Sequence, residues 1–248
     1  MAQRRSIMER KAVVVGATGL VGGYVVRELL VQKEYNRVMV MGRRPLDIKH
    51  PKLEQVLIDW EQPQKAAFAF EGVDDVFCCL GTTMKKAGSK EQFRQVDVDY
   101  PVLAAQLGKE AGAVQMLAIS AMGADPDSRV FYNRTKGEAE EALAAIGLSA
   151  LHLFRPSLIL GARPERRLGE AAAAVVMKAL DGLMTGKLAS YRAIPASVIA
   201  RAMVRIALAQ ASGVHIYPND IIRVIGAELT SDVEETGSGT GADADVNV

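Results

Sequence analysis

The run Ala12-Val13-Val14-Val15 passes directly into Gly16-Ala17-Thr18-Gly19-Leu20-Val21-Gly22, and helix-period sequence follows from residue 20 to residue 32. A short β-branched run reads as a buried strand, and the segment behind the glycines reads as a helix. Gly16 permits a tight turn, Gly19 lets a backbone approach a pyrophosphate, and Gly22 lets helix and strand pack closely. The helix N-terminus offers N–H groups and a positive dipole end to phosphates, with Thr18, Leu20 and Val21 in the same segment. Strand, glycines and helix in that order predict a dinucleotide-binding turn near the start of the chain.

The remaining sequence continues the alternation. Strands are predicted over residues 37–41, 55–58, 75–80, 114–119 and 149–154, and helices over 89–111 and 131–146. Continuous apolar strands separated by helices need cover on both faces, which makes an α/β fold with a doubly wound parallel sheet of Rossmann type. After Arg155-Pro156 the rhythm changes to helices over 168–188 and 195–210 and a short strand over 214–217. That part reads as a small C-terminal substrate lobe, residues 156–228, at the carboxyl edge of the sheet, where such folds bind ligands. The domain then runs from 11 to 228. Residues 1–10 are an N-terminal extension, and 229–248, rich in Gly, Ser, Thr, Asp and Glu, are expected to form a disordered acidic tail.

Composition narrows the function classes. The net charge is only +1, so no bulk field argues for nucleic acid or acidic membranes. The tail carries five acidic and no basic residues, which leaves the body near +6, a balance that favours phosphate binding. The longest apolar candidate for a membrane span, residues 12–26, is broken by four glycines. The N-terminal eleven residues are basic but have no apolar core, so they are no signal peptide, and a cytoplasmic chain is expected. The adjacent Cys78 and Cys79 would point to opposite faces of a strand, which excludes a mutual disulfide, and no second Cys or His cluster completes a metal site. His152, inside an apolar strand, reads as a core residue.

Several strand ends carry candidate chemistry. The second strand runs out through Val40-Met41-Gly42-Arg43-Arg44 with no Asp or Glu for a ribose 2′-hydroxyl. Guanidinium groups suit a 2′-phosphate instead, so Arg43 first and Arg44 second are the expected selectors for NADP(H). Asp59, closing the third strand, is a candidate for the adenine amino group. Leu80, Gly81 and Thr82, at the end of the fourth, would lie against the cofactor. Ser120 ends the fifth strand, and Tyr132 and Lys136 follow at i and i+4 on one helix face. A phenol is a poor acid or base at neutral pH, and a neighbouring ammonium is expected to lower its pKa. Ser120, Tyr132 and Lys136 are therefore the candidate catalytic set, acting on a small-molecule carbonyl or alcohol, with Tyr132 and Lys136 also touching the cofactor.

The glycine turn, Ser120, Tyr132-x-x-x-Lys136 and Arg155-Pro156-Ser157 together resemble the short-chain dehydrogenase/reductase superfamily, in its extended or atypical part. Cys79-Leu80-Gly81-Thr82-Thr83, Ala87-Gly88-Ser89, Val96-Asp97-Val98-Asp99-Tyr100 and Tyr132-Asn133-Arg134-Thr135-Lys136-Gly137-Glu138 are similar to the Tat-interactive-protein-like oxidoreductases and their bacterial relatives. The resemblance covers residues 11–225. It implies an NADPH-dependent oxidoreductase with Ser120, Tyr132 and Lys136 as catalytic residues and Gly16, Gly19, Gly22 and Arg43 as cofactor ligands. Because atypical members include regulators with little activity, an NADPH-sensing protein with a protein partner is the alternative, and a nucleotide-sugar epimerase is a third. Asp97 stands where the superfamily often has Asn, a departure that bears on turnover. Monomer and homodimer both remain open.

Overall fold

The computed structural model describes residues 9–161 and 191–227. In β1 (Arg10–Val15) alternate residues serve two cores: Ala12 and Val14 pack into one, Val13 and Val15 into the other. That period-2 split is what a strand buried on both faces requires. The chain continues through α1 (Leu20–Val31), β2 (Tyr35–Gly42), β3 (Leu53–Leu57), a 3₁₀ helix (Pro63–Phe70) and β4 (Asp75–Cys78). Then follow α2 (Met84–Ala87), α3 (Lys90–Arg94), a π turn (Gln95–Asp99), α4 (Tyr100–Glu110), β5 (Gln115–Ile119), α5 (Phe131–Ile146) and β6 (Ala150–Arg155).

The last described elements are β7 (Ile159–Leu160), β8 (Ile194–Pro195), α6 (Ala196–Ala209), β9 (Gly213–Pro218) and α7 (Asn219–Gly226). The main sheet has seven strands in the order β3-β2-β1-β4-β5-β6-β9, every pair parallel. The strand order reverses between β1 and β4, and in doubly wound sheets that switch point opens a crevice at the carboxyl ends. Residues of α1, α6 and α7 cover one face. The 3₁₀ helix, α4 and α5 cover the other. The expected doubly wound α/β architecture is the one observed.

Three differences from the sequence reading have local physical causes. β1 begins at Arg10, inside what reads as an extension, because the Arg10 side chain is anchored on buried Asp75. The helix expected over 89–111 is interrupted by the π turn. Pro101, in the first turn of α4, has no N–H to offer the carbonyl four residues back, at position 97, and widening the turn there accommodates it. In the region read as a lobe, β9 completes the main sheet beside β6, and Ile199, Met203 and Val204 of α6 sit in the core against α1. The helix expected over 168–188 and the acidic tail lie outside the described residues. Among the described residues no helix is long and apolar enough to cross a membrane.

His152 is buried, with Nδ1 3.0 Å from the Tyr217 hydroxyl and its ring stacked on His215. Burial, with His215 beside it, pushes its pKa down to about 4, so it is a neutral core residue. Cys78 and Cys79 are free thiols, and burial pushes the Cys78 thiol up to about 11.

Candidate functional site

At the end of β1 the backbone turns with Gly16 at φ +82°, a conformation that side chains rarely adopt. A Cβ on Gly16 would lie 2.5 Å from the Cys79 backbone, and one on Gly22 would lie 2.4 Å from the Gly16 carbonyl oxygen. The first glycine thus lets β1 turn beside the end of β4, and the third brings α1 down onto that turn. Gly19 caps α1, and no side chain occupies its cap position. The helix N-terminus is left facing a groove of about 920 Å³.

That groove runs along the carboxyl edge of the sheet. Thr18, Gly19, Leu20 and Val21 line one wall, and Leu80, Gly81 and Thr82 line another. Ser120, Tyr132 and Lys136 reach the same groove. The strand ends and α5 therefore bring together, in one cleft, residues more than a hundred positions apart. The glycine turn, the helix N-terminus and a groove of this size fit a dinucleotide.

Arg44 lines the groove, together with Arg27 of α1, whose guanidinium lies over the Tyr24 ring at 6.0 Å. Arg43, the first choice from sequence, is exposed and absent from the groove wall; its charge faces Tyr100, whose ring stacks on Trp60. Asp59 does not reach the groove wall either. Its carboxylate accepts from the Glu61 backbone N–H at 3.0 Å and the Gln62 side chain at 3.4 Å, closing a local turn.

Around Tyr132 the side chains form a layered cluster. Phe93, fully buried, meets the Tyr132 ring edge-to-face with centroids 5.9 Å apart. Lys136 Nζ lies 2.6 Å from Asp97 Oδ1, and both residues are buried. The second oxygen, Asp97 Oδ2, accepts the Thr82 backbone N–H at 2.8 Å. Asp97 therefore ties Lys136 to the loop leaving β4, and the π turn is what places it there. Burial works against the charge on Lys136, but Asp97, Tyr132 and Cys78 together outweigh it and the pKa rises. The Tyr132 pKa also rises: burial raises it, Lys136 lowers it and Asp97 raises it again. The lowered phenol expected from sequence is thus corrected, chiefly because burial of the ring outweighs the ammonium beside it.

Ser120 is buried, and its hydroxyl donates to Glu140 Oε1. Arg155 binds the same carboxylate with two parallel hydrogen bonds, Nε at 2.9 Å and Nη2 at 2.5 Å. A void of about 10 Å³, room for one water at most, separates these groups from Asp97 and Lys136. Sequence reading missed Glu140, although a signal was present. Tyr132, Lys136 and Glu140 recur at i, i+4 and i+8 on one face of α5. Arg27 was missed in the same way, one face along from Leu20 and Tyr24.

Comparison with known proteins agrees with this geometry. The family described as NAD(P)H-binding matches residues 16–176. Protein HTATIP2 of Rattus norvegicus is 35% identical over 210 residues, 83% of this chain and 85% of the relative. Protein FMP52, mitochondrial, of Eremothecium gossypii is 32% identical over 162 residues, 64% of this chain and 70% of the relative. MoeE5, solved in complex with UDP-glucuronic acid and NAD, shares the fold with a TM-score of 0.63 at 19% identity, over 83% of this chain and 75% of its own. The mitochondrial relatives overturn the expectation of a cytoplasmic chain. That expectation rested on a missing apolar signal core, and transit segments are basic and amphipathic rather than apolar, so the argument could not exclude them. Matching in family, relatives and fold alike, the chain belongs to the NAD(P)H-binding family, as a relative of Protein HTATIP2.

Proposed function

We propose that this protein is an NADPH-dependent oxidoreductase acting on a carbonyl or alcohol. The observation that carries the reading is that Tyr132 and Lys136 open onto the same groove as the glycine turn and the N-terminus of α1. When bound, the dinucleotide supplies or accepts a hydride. Tyr132 holds the proton exchanged with the substrate oxygen, and Lys136 orients the ribose and the phenol. Ser120 forms the third side of the site. With its proton on Glu140, its oxygen meets the substrate as an acceptor and donates only after rotating away.

Preference for NADPH rests on charge. Two guanidinium groups, Arg44 and Arg27, line the groove, and no carboxylate ends β2. Asp59 and Arg43 remain candidates only for contacts beyond the groove wall. Fluorescence titration of the protein with NADPH and with NADH tests the assignment. The expected result is NADPH binding at least tenfold tighter, with the gap collapsing in Arg44→Ala; equal affinities would remove the preference, and no binding would remove the oxidoreductase reading.

A second reading, an NADPH-sensing regulatory protein, is favoured by the pairing of Lys136 with Asp97 and of Ser120 with Glu140, which suits holding a cofactor better than fast turnover. Capture of a partner only in the presence of NADPH, with no reduction across a broad carbonyl panel, is its signature.

A further inference from the structure

Glu140 lies behind Ser120, lining the small void and not the groove. Arg155 grips its carboxylate with two parallel hydrogen bonds, Nε at 2.9 Å and Nη2 at 2.5 Å. A carboxylate so held only accepts. The Ser120 hydroxyl is therefore the donor in its bond to Glu140 Oε1, and its proton points into the protein. Ser120 also borders the groove, and a hydroxyl oxygen that donates still keeps its lone pairs. Among the described residues no group donates to that oxygen.

Tyr132 and Lys136 open onto the same groove from one face of α5. The wall there offers a donor, the Tyr132 hydroxyl, and an acceptor, the Ser120 oxygen. One carbonyl oxygen cannot satisfy both: it takes the phenol's hydrogen bond but meets lone pairs at Ser120. Turning the Ser120 hydroxyl towards it would break a bond to a charged acceptor, among the stronger hydrogen bonds. We propose that Ser120 is a specificity-determining residue, held as an acceptor by Glu140 and Arg155, and that the substrate is a carbonyl compound with a hydroxyl on the carbon beside the carbonyl. The carbonyl oxygen meets Tyr132, and the hydroxyl donates to Ser120. This names a substrate class for the oxidoreductase reading and rests on it.

The neighbouring carboxylates do not compete for the substrate's hydroxyl. Asp97 is engaged by Lys136 and the Thr82 N–H, and Glu140 is closed off behind Ser120. A serine free to donate would serve the carbonyl oxygen alongside Tyr132 and be indifferent to a second hydroxyl. A serine that only accepts discriminates, because a ligand without a donor displaces water from its oxygen and leaves it unpaired.

The test compares α-hydroxyacetophenone with α-methoxyacetophenone, which share ring, carbonyl and α-oxygen and differ in the donor. With NADPH, wild-type kcat/KM should favour the hydroxy ketone by about three- to tenfold, the worth of one hydrogen bond. In Ser120→Ala the ratio should fall to about one, since the acceptor is gone. Saturation-transfer NMR of both ketones on the protein with NADP⁺ reads binding apart from carbonyl reduction and should give the same order. Equal values in the wild type, a preference that survives Ser120→Ala, or binding of neither ketone would overturn the proposal. The wild-type comparison stands by itself if Ser120→Ala fails to fold. Hydroxyl-dependent binding without turnover would remove the oxidoreductase reading and keep the assignment of Ser120, whereas equal turnover of both ketones would do the reverse.

Discussion

Two buried charge clusters sit at opposite edges of the same sheet, and they behave differently. At the amino edge, Asp75 opens β4 fully buried and accepts from Arg10 Nε at 2.9 Å, Gln115 Nε2 at 2.7 Å and the Tyr35 hydroxyl at 2.5 Å. Arg10 Nη2 completes the set. Each donor belongs to the first residue of a strand: β1, β2 or β5. Gln115 also reaches the Ala207 carbonyl at 2.8 Å, which fastens α6 to the sheet. Burial and the Asp75 carboxylate hold the Tyr35 phenol far above its ordinary pKa, so it is a permanent donor.

At the carboxyl edge, Asp97 with Lys136 and Glu140 with Arg155 use the same chemistry, a carboxylate against a cation. There the cluster borders a groove, and Tyr132 stands 40% exposed at its rim. Enclosed on all sides, an ion pair fixes strand register and packing. Beside an opening, the same kind of pair borders a residue that a ligand can reach. The comparison teaches that burial of a charge does not by itself identify a site; a burial gradient ending in a titratable rim does.

The sharpest way to break that contrast is to remove one residue from each edge. Tyr132→Phe should lower kcat/KM for carbonyl reduction by about 10²–10⁴-fold while leaving the urea midpoint unmoved, since only a rim hydroxyl is lost. Asp75→Ala should do the opposite. With Arg10 left buried and uncompensated, stability should fall by about 3–5 kcal/mol, read by urea unfolding, while NADPH affinity of the folded fraction stays the same. If Asp75→Ala instead abolished cofactor binding without loss of stability, the division of labour between the two edges would be mistaken.

Smaller effects sharpen it. Ser120→Ala should cost about tenfold or less in kcat/KM, below the Tyr132→Phe loss, because the Ser120 proton already belongs to Glu140. A loss as large as that of Tyr132→Phe would show the hydroxyl turning to the substrate. The pH dependence of stability should carry the mark of His152. Its folded pKa of about 4 lies below the usual 6.5, so between those values the unfolded chain binds the proton that the folded chain refuses. Stability should therefore fall as pH drops from 6.5 towards 4, and Tm measured across that window should fall less in His152→Asn.

Much of the fold was legible because it repeats a local rule. Val13 and Val15 against Ala12 and Val14, and Gly16 followed by a helix, are neighbours in sequence, and their consequences are set within a few residues. The site was legible only as a set of residue types. Tyr132 and Lys136 announced themselves by spacing, whereas the burial and the partners around them did not. The π turn arises from Pro101, yet its consequence falls on Asp97, and whether Arg43 or Arg44 entered the groove turned on the path of the loop after β2.

The sequence by itself determined the alternating α/β architecture, the glycine turn and the helix face shared by Tyr132, Lys136 and Glu140, because backbone conformation and periodicity are local properties. Only the tertiary structure decided that Lys136 would spend its charge on Asp97, that Ser120 would donate to Glu140, and that Arg44 rather than Arg43 would line the groove. Those outcomes depend on distances between elements brought together by sheet closure and on the burial that follows, and neither is written in any stretch of consecutive residues.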